Sequence, residues 1–224
     1  MRLYSSQVIE ILSIAGQLSA RLSCPPQAVP KPGQFVLAKD QEAILPVPLF
    51  LNELSPQGFI AAPFVPTHWI PGTSLNLFGP HGNGFNIPDN LRHLGLIALG
   101  KTVARLLPLV YEALSQHTDV ALFTNNPLPA IPYALEVFPL SMLKDYFSWA
   151  DYIALDLHIE SIPDLRSILG LPGQLHCPAQ ALILTHMPCG GLGGCGVCAL
   201  HSSTRKYKLA CSDGPVFSLN EIEW

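Results

Sequence analysis

The chain has 224 residues, of which 49% are apolar and only 12% charged, with a formal net charge of −4. That length supplies one large core or two small ones, and the lack of any basic tract leaves no electrostatic footprint for nucleic acid. No apolar run reaches the ~18 residues that cross a bilayer, and the N-terminus lacks the features of a secretory signal, so the sequence reads as cytoplasmic with no membrane span.

Residues 1–20 alternate in places, with Val8, Ile9, Ile11, Leu12 and Ile14 among polar and small residues, and predict one or two strands. Lys31-Pro32-Gly33-Gln34 is a turn that launches a strand over 35–38. The apolar run 44–51 is interrupted by Pro46 and Pro48. Proline removes a ladder donor, so this segment is expected as an edge or irregular strand. Further strands are predicted at 58–62 and, after the Pro71-Gly72 turn, at 74–78. Many short strands separated by Pro/Gly turns point to a small antiparallel barrel or sandwich over 1–88.

The pattern then changes. Residues 94–99 read as a buried strand ending at Gly100. Val103, Leu106, Leu107, Val110, Tyr111 and Leu114 recur at helical spacing, predicting an amphipathic helix over 102–116 that Pro108 bends or shortens. Strands follow at 120–124, 152–157 and 181–185, with helices at 141–150 and 163–169. This alternation predicts an α/β layer with a mainly parallel sheet over 89–186. The remaining residues, 187–224, form a separate cysteine lobe.

Four of the six cysteines fall between positions 189 and 211, a cluster that reads as a metal site rather than a disulfide framework. Cys195 and Cys198 form one Cys-x₂-Cys pair, with five residues between Cys189 and Cys195 and twelve between Cys198 and Cys211. A zinc ribbon usually has two such tight pairs. The asymmetric arrangement is close to the Cys-x₄-Cys-x₂-Cys…Cys of plant-type [2Fe-2S] loops. Gly190, Gly191, Gly193, Gly194 and Gly196 let backbone approach the sulfurs and aim amides at them. Cys189, Cys195, Cys198 and Cys211 are therefore the candidate ligands of a [2Fe-2S] cluster. Such a centre passes single electrons, so the chain reads as a wire working with a flavin that splits electron pairs. The alternative is a zinc-stabilised interaction or scaffold protein with no redox role. Cys24 and Cys177 stand alone and read as small buried hydrophobes. His176, His186 and His201 read as ordinary, and Asp213 as an anchor of the turn after Cys211.

The segments MPCGGLGGCGVC (187–198) and CSDGPVF (211–217) resemble the electron-transfer subunit of dihydroorotate dehydrogenase, within the wider ferredoxin reductase-like group. Two weaker matches lie upstream, Pro32-Gly33-Gln34-Phe35 and Phe78-Gly79-Pro80-His81-Gly82-Asn83-Gly84-Phe85. The resemblance implies a β-barrel plus α/β architecture with an FAD-binding barrel, an NAD-type reductase domain and a C-terminal [2Fe-2S] lobe. It places Gly79, Pro80, Gly82, Asn83 and Gly84 near a flavin or the domain junction, and Gly100 at a nucleotide turn. It further implies an accessory subunit that docks on a flavin-containing catalytic subunit and relays electrons between orotate formation and a nicotinamide or other carrier. The chain departs from this pattern in three places. Residues 45–50 offer neither the arginine nor the hydroxyl that an FAD pyrophosphate and ribityl chain call for. The turn after residue 99 keeps one glycine, Gly100, where a dinucleotide wants several, which argues against NAD(P); Lys101 beside it reads as a solvent-facing lysine. The first cysteine gap is longer by one residue, among glycines where a bulge costs little.

Overall fold

The computed structural model describes residues 2–132, 134–169, 175–204 and 207–224. Six antiparallel strands close a barrel in the order β1-β2-β5-β4-β3-β6. They are β1 (Leu3–Ile14), β2 (Gln17–Ser23), β3 (Phe35–Lys39), β4 (Val47–Ser55), β5 (Gly58–Ala61) and β6 (Ser74–His81). Ala15 and Gly16 both have positive φ at the tip between β1 and β2, the conformation of a tight two-residue hairpin. The proline argument holds locally: the β4 segment 47–50 pairs with β3, and pairing with β5 begins at Leu51. The strand itself starts later and runs further than the apolar pattern suggested, to Ser55, carrying a bulge between Leu51 and Glu53.

Strand alternation divides the side chains between two cores. Val36 and Ala38, Leu49 and Leu51, and Leu75 and Leu77 fill the barrel around Phe59 and Trp69. The opposite face of β3 and β4 sends Phe35, Leu37 and Phe50 into a second core shared with the α/β sheet and the cysteine lobe. All four residues from Phe35 to Ala38 are consequently buried, which fixes β3 as the wall between the two bodies.

The second body is a six-stranded sheet in the order β14-β11-β10-β7-β8-β9. Its strands are β7 (His93–Ala98), β8 (Asp119–Thr124), β9 (Glu136–Phe138), β10 (Tyr152–His158), β11 (Ala179–Leu184) and β14 (Val216–Ser218). All pair in parallel except β14, which runs antiparallel to β11. The helix predicted over 102–116 is shorter: α1 spans Leu107–Ser115, with Pro108 in its first turn. There its missing N–H costs nothing, so proline starts this helix rather than bending it. The predicted helix over 141–150 contains only one α-helical turn, α2 (Leu143–Tyr146), flanked by 3₁₀ turns, and α3 covers Leu165–Leu169. Among the described residues no helix is long and apolar enough to cross a membrane.

A two-stranded hairpin, β12 (Ala199–His201) with β13 (Tyr207–Leu209), lies between β11 and β14. Because β14 belongs to the main sheet, the cysteine segment is an excursion from the sheet that returns to it, not a free tail.

The barrel's tightest polar knot is Asp40, only 6% exposed. It accepts from Trp69 Nε1 at 2.7 Å, His68 Nε2 at 2.9 Å, and the amides of Ala43 and Glu42 at 2.7 and 2.8 Å. Burial works against its ionisation, but donation from Trp69, His68, Ala43 and Glu42 outweighs it and holds the carboxyl well below the usual carboxylate range. A carboxyl with a depressed folded-state pKa stabilises fully above its unfolded value and loses that contribution as pH falls. Asp40→Asn is expected to lose about 2 kcal/mol at pH 7. Urea unfolding should show the gap to the wild type narrowing as pH drops below about 4.

Candidate metal centre

The four predicted cysteines arrive from two directions. Cys198 immediately precedes β12 and Cys211 follows β13 by two residues. The hairpin register pairs Ala199 with Leu209, and the Ala210 amide donates to the Cys198 carbonyl at 3.0 Å. Ladder geometry therefore sets Cys198 beside Cys211, with their sulfurs 3.3 Å apart and both side chains buried. Cys189 and Cys195 come from the preceding loop. The Cys195 thiol donates to Cys189, as do the amides of Leu192, Gly194 and Cys195, while the Gly193 amide donates to Cys211. The thiols thus stand as two pairs, and among the described residues no three His, Cys, Asp or Glu side chains gather around one metal position.

Glycine makes this loop possible. Gly190, Gly191, Gly193 and Gly196 all have φ between 62° and 75°, the left-handed region that costs other residues energy. Two of them also lie against the barrel. A Cβ on Gly190 would stand 3.3 Å from Pro46 Cγ, and one on Gly191 would stand 3.4 Å from Leu37 Cδ1. The loop is seated on the wall formed by β3 and the start of β4.

The two pairs differ in environment. Hydrogen bonding from Cys195, opposed by burial and reinforced by the three amides, brings the Cys189 thiol down to about 6. Burial, with Cys198 alongside, pushes Cys211 up to about 12. Cys189 is half-buried and Cys195 exposed, so one edge of the centre faces outward and the other faces the core. Cys24 and Cys177 are half-buried, and burial raises each thiol to about 11. His176 contacts the Ala150 carbonyl, His201 packs on Tyr207, and His186 lies beside His158.

Of the residues placed near a flavin or the domain junction by resemblance, those at 79–84 lie where the barrel meets the cysteine lobe. Gly79 and Pro80 lie in the last turn of β6, and the loop after them grips the chain just beyond Cys211. The Asn83 amide donates to the Gly214 carbonyl at 2.6 Å and its Nδ2 to the Asp213 carbonyl at 2.8 Å. Gln34 Nε2 holds the Gly82 carbonyl at 3.0 Å, and a Cβ on Gly84 would meet the Pro32 carbonyl at 2.7 Å. Asp213 anchors its turn as expected, its Oδ2 accepting from the Leu209 amide at 2.8 Å. Gly100 lies apart from these, at the end of β7 beside Arg105 and Asp156. Gln34, Arg105 and Asp156 escaped the sequence reading, because each acts through a partner distant in the chain.

Residues 45–50 bring no charged or hydroxyl donor to a flavin pyrophosphate. Pro46 and Pro48 carry no N–H, Leu49 faces the barrel interior, and the Phe50 ring lies 5.9 Å from that of Phe35 in the shared core. This segment does not fit the group, whereas Asn52 and Ser55 further along β4 carry buried polar atoms without a hydrogen-bond partner.

Residues 185–223 match the family of the iron-sulfur cluster binding domain of dihydroorotate dehydrogenase B. No curated protein sequence matches the chain. Among solved structures it is similar to an NADH-dependent reduced ferredoxin-NADP oxidoreductase, with 19% identity over 98% of this chain and 90% of the other and a TM-score of 0.76. It is also similar to the ferredoxin reductase of carbazole 1,9a-dioxygenase, at 19% identity, 77% and 67% coverage, and a TM-score of 0.62. A ferredoxin NADP+ reductase from Neisseria gonorrhoeae with bound FAD and NADP aligns at 13% identity, 79% and 94% coverage, and a TM-score of 0.56. The chain therefore has the ferredoxin reductase-like fold. Within it, residues 185–223 are similar to the iron-sulfur cluster binding domain of dihydroorotate dehydrogenase B.

The grip on the Cys211 turn yields a test. Gly82 has φ +77°, and a Cβ there would lie 2.5 Å from Pro215 Cδ. Gly82→Ala is expected to cost about 2 kcal/mol and to lower the iron retained per chain. Far-UV circular dichroism of the same sample should stay close to that of the wild type.

Proposed function

We propose that this chain is an electron-transfer subunit whose single redox centre is a [2Fe-2S] cluster held by Cys189, Cys195, Cys198 and Cys211. The observation that carries the reading is the arrangement of the thiols in two pairs, Cys189 with Cys195 and Cys198 with Cys211. A lone zinc ion wants four donors around one point, whereas two bridged irons take two thiolates each. In this reading residues 1–88 form the barrel, 89–186 the α/β domain and 187–224 the cluster lobe.

When bound, such a cluster accepts and returns one electron at a time. The chain's own residues set the conditions. Amides of Leu192, Gly194 and Cys195 aimed at Cys189, and that of Gly193 at Cys211, offset sulfur negative charge and favour the reduced state. The core around Cys198 and Cys211 excludes water, so exchange is directed to the outward edge at Cys189 and Cys195. That edge is rimmed by apolar side chains: Leu192 is 75% exposed and Val197 53%. Ile44 and Leu45, also exposed, precede the Pro46 that touches the loop. An apolar rim around a redox edge suits a permanent partner, and the family of residues 185–223 points to a flavin-containing catalytic subunit of the dihydroorotate dehydrogenase kind.

Protein purified without oxygen should be brown and contain about two irons and two acid-labile sulfides per chain. Cys198→Ser or Cys211→Ser should abolish both colour and sulfide. Zinc bound in place of iron, with no sulfide, would overturn the reading. With the cluster intact by its visible spectrum, Leu192→Glu should slow electron exchange with the flavoprotein partner about tenfold, measured by stopped-flow reduction.

A further inference from the structure

The order of strand addition reverses between the parallel neighbours β7 and β10. The chain runs from β7 to β8 and β9 on one side and resumes with β10 and β11 on the other. In open α/β sheets, the crevice beyond the carboxyl ends of two such strands is where a dinucleotide lies. Here the chain's own side chains fill it. Arg105 Nε donates to Asp156 Oδ2 at 2.9 Å and Nη2 to Oδ1 at 3.3 Å. Both side chains are buried, Arg105 at 5% exposure and Asp156 at 0%. Arg105 Nη1 crosses to the Pro63 carbonyl, beyond the end of β5, at 3.4 Å.

Gly100 stands where a phosphate would need close approach to the backbone, but a Cβ there would lie 3.1 Å from Arg105 Nη2 and 3.3 Å from Asp156 Oδ1. The space over the glycine belongs to the ion pair. Three backbone donors of the turn are also engaged. The Leu99 and Gly100 amides donate to the Asp156 carbonyl at 2.8 and 3.0 Å, and the Ala104 amide to Thr102 Oγ1 at 3.2 Å. Leu106 and Leu107 are buried at the start of α1, so apolar side chains surround the helix end where an anion would seat.

We propose that Arg105 and Asp156 occupy the dinucleotide crevice as an internal rivet joining barrel and sheet, so that the chain takes no hydride from NAD(P)H and exchanges electrons only through its cluster. The last clause rests on the function proposed above; the rivet does not.

The test uses the full chain, prepared anaerobically. Fluorescence titration with NADH and with NADPH should show no saturable binding. Neither nucleotide should bleach the visible cluster absorption in the absence of a partner, while dithionite bleaches it. Saturable binding, or bleaching by either nucleotide, would overturn the proposal. Failure of dithionite to change the spectrum would refute the cluster reading instead, and the binding titration would still decide the rivet. Arg105→Ala should lower Tm by about 10 °C by leaving Asp156 buried and unpaired, and an unchanged Tm would refute the rivet. If that variant does not fold, Arg105→Met combined with Asp156→Leu should recover a Tm near the wild type. A double variant as unstable as the single one would refute it too.

Discussion

The position of Cys211 is the constraint on which the rest of the molecule turns. It is fixed from two sides by independent means. Ladder register in the hairpin of β12 and β13 sets it beside Cys198. Asn83, reaching from the barrel, holds the carbonyls of Asp213 and Gly214 just beyond it. From Gly214 the chain continues into β14 and so into the main sheet. One short stretch, 211–218, therefore ties the barrel, the lobe and the sheet together. Backbone hydrogen bonds rather than long side chains make the ties, which limits the play available to the sulfurs.

The cluster loop has a different logic. Its positive-φ glycines cost conformational entropy on ordering, and its own sequence offers little apolar surface for burial. It is ordered against something rigid instead. Gly190 and Gly191 lie on Pro46 and Leu37, and Leu37 belongs to a strand buried on both faces. A proline and a central strand are among the least yielding surfaces a small barrel can present. Pro46, just before β4, thereby gains a role that strand propensity does not explain.

How far the sequence could be read follows from the range of each interaction. The cysteine spacing and its glycines are local, and the structure brings the predicted four together as two pairs. The barrel strands were readable because alternation there spans several residues. The three-residue strands β9, β12, β13 and β14 carry too few positions to show any period, and β14 turned a predicted tail into part of the sheet. The start of α1 was misplaced because residues 103 and 106 keep helical spacing while turns occupy that stretch. The loop at 79–84 left two readings open, a flavin neighbour or a domain junction, for a chemical reason. Glycines that admit a phosphate and glycines that admit another backbone look alike in sequence, and here Gly82 admits the Gly214–Pro215 segment. Arg105 and Asp156 are 51 residues apart, and neither carries a mark that predicts the other.

A buried ion pair seldom adds net stability over apolar residues of similar size, so its presence between barrel and sheet calls for a reason. Burial alone raises the Asp156 carboxyl and Arg105 opposes that rise. The pair is a charge neutralised inside the protein at the point where the strand order of the sheet reverses. A guanidinium can reach the Asp156 carboxylate and the Pro63 carbonyl at once because its donors form a rigid fork. Filling the crevice this way links the two bodies without a diffusible ligand. The low charge content of the whole chain fits the same economy. With its exposed apolar side chains gathered in part around the lobe, the surface keeps charges away from the face where a partner would have to desolvate them.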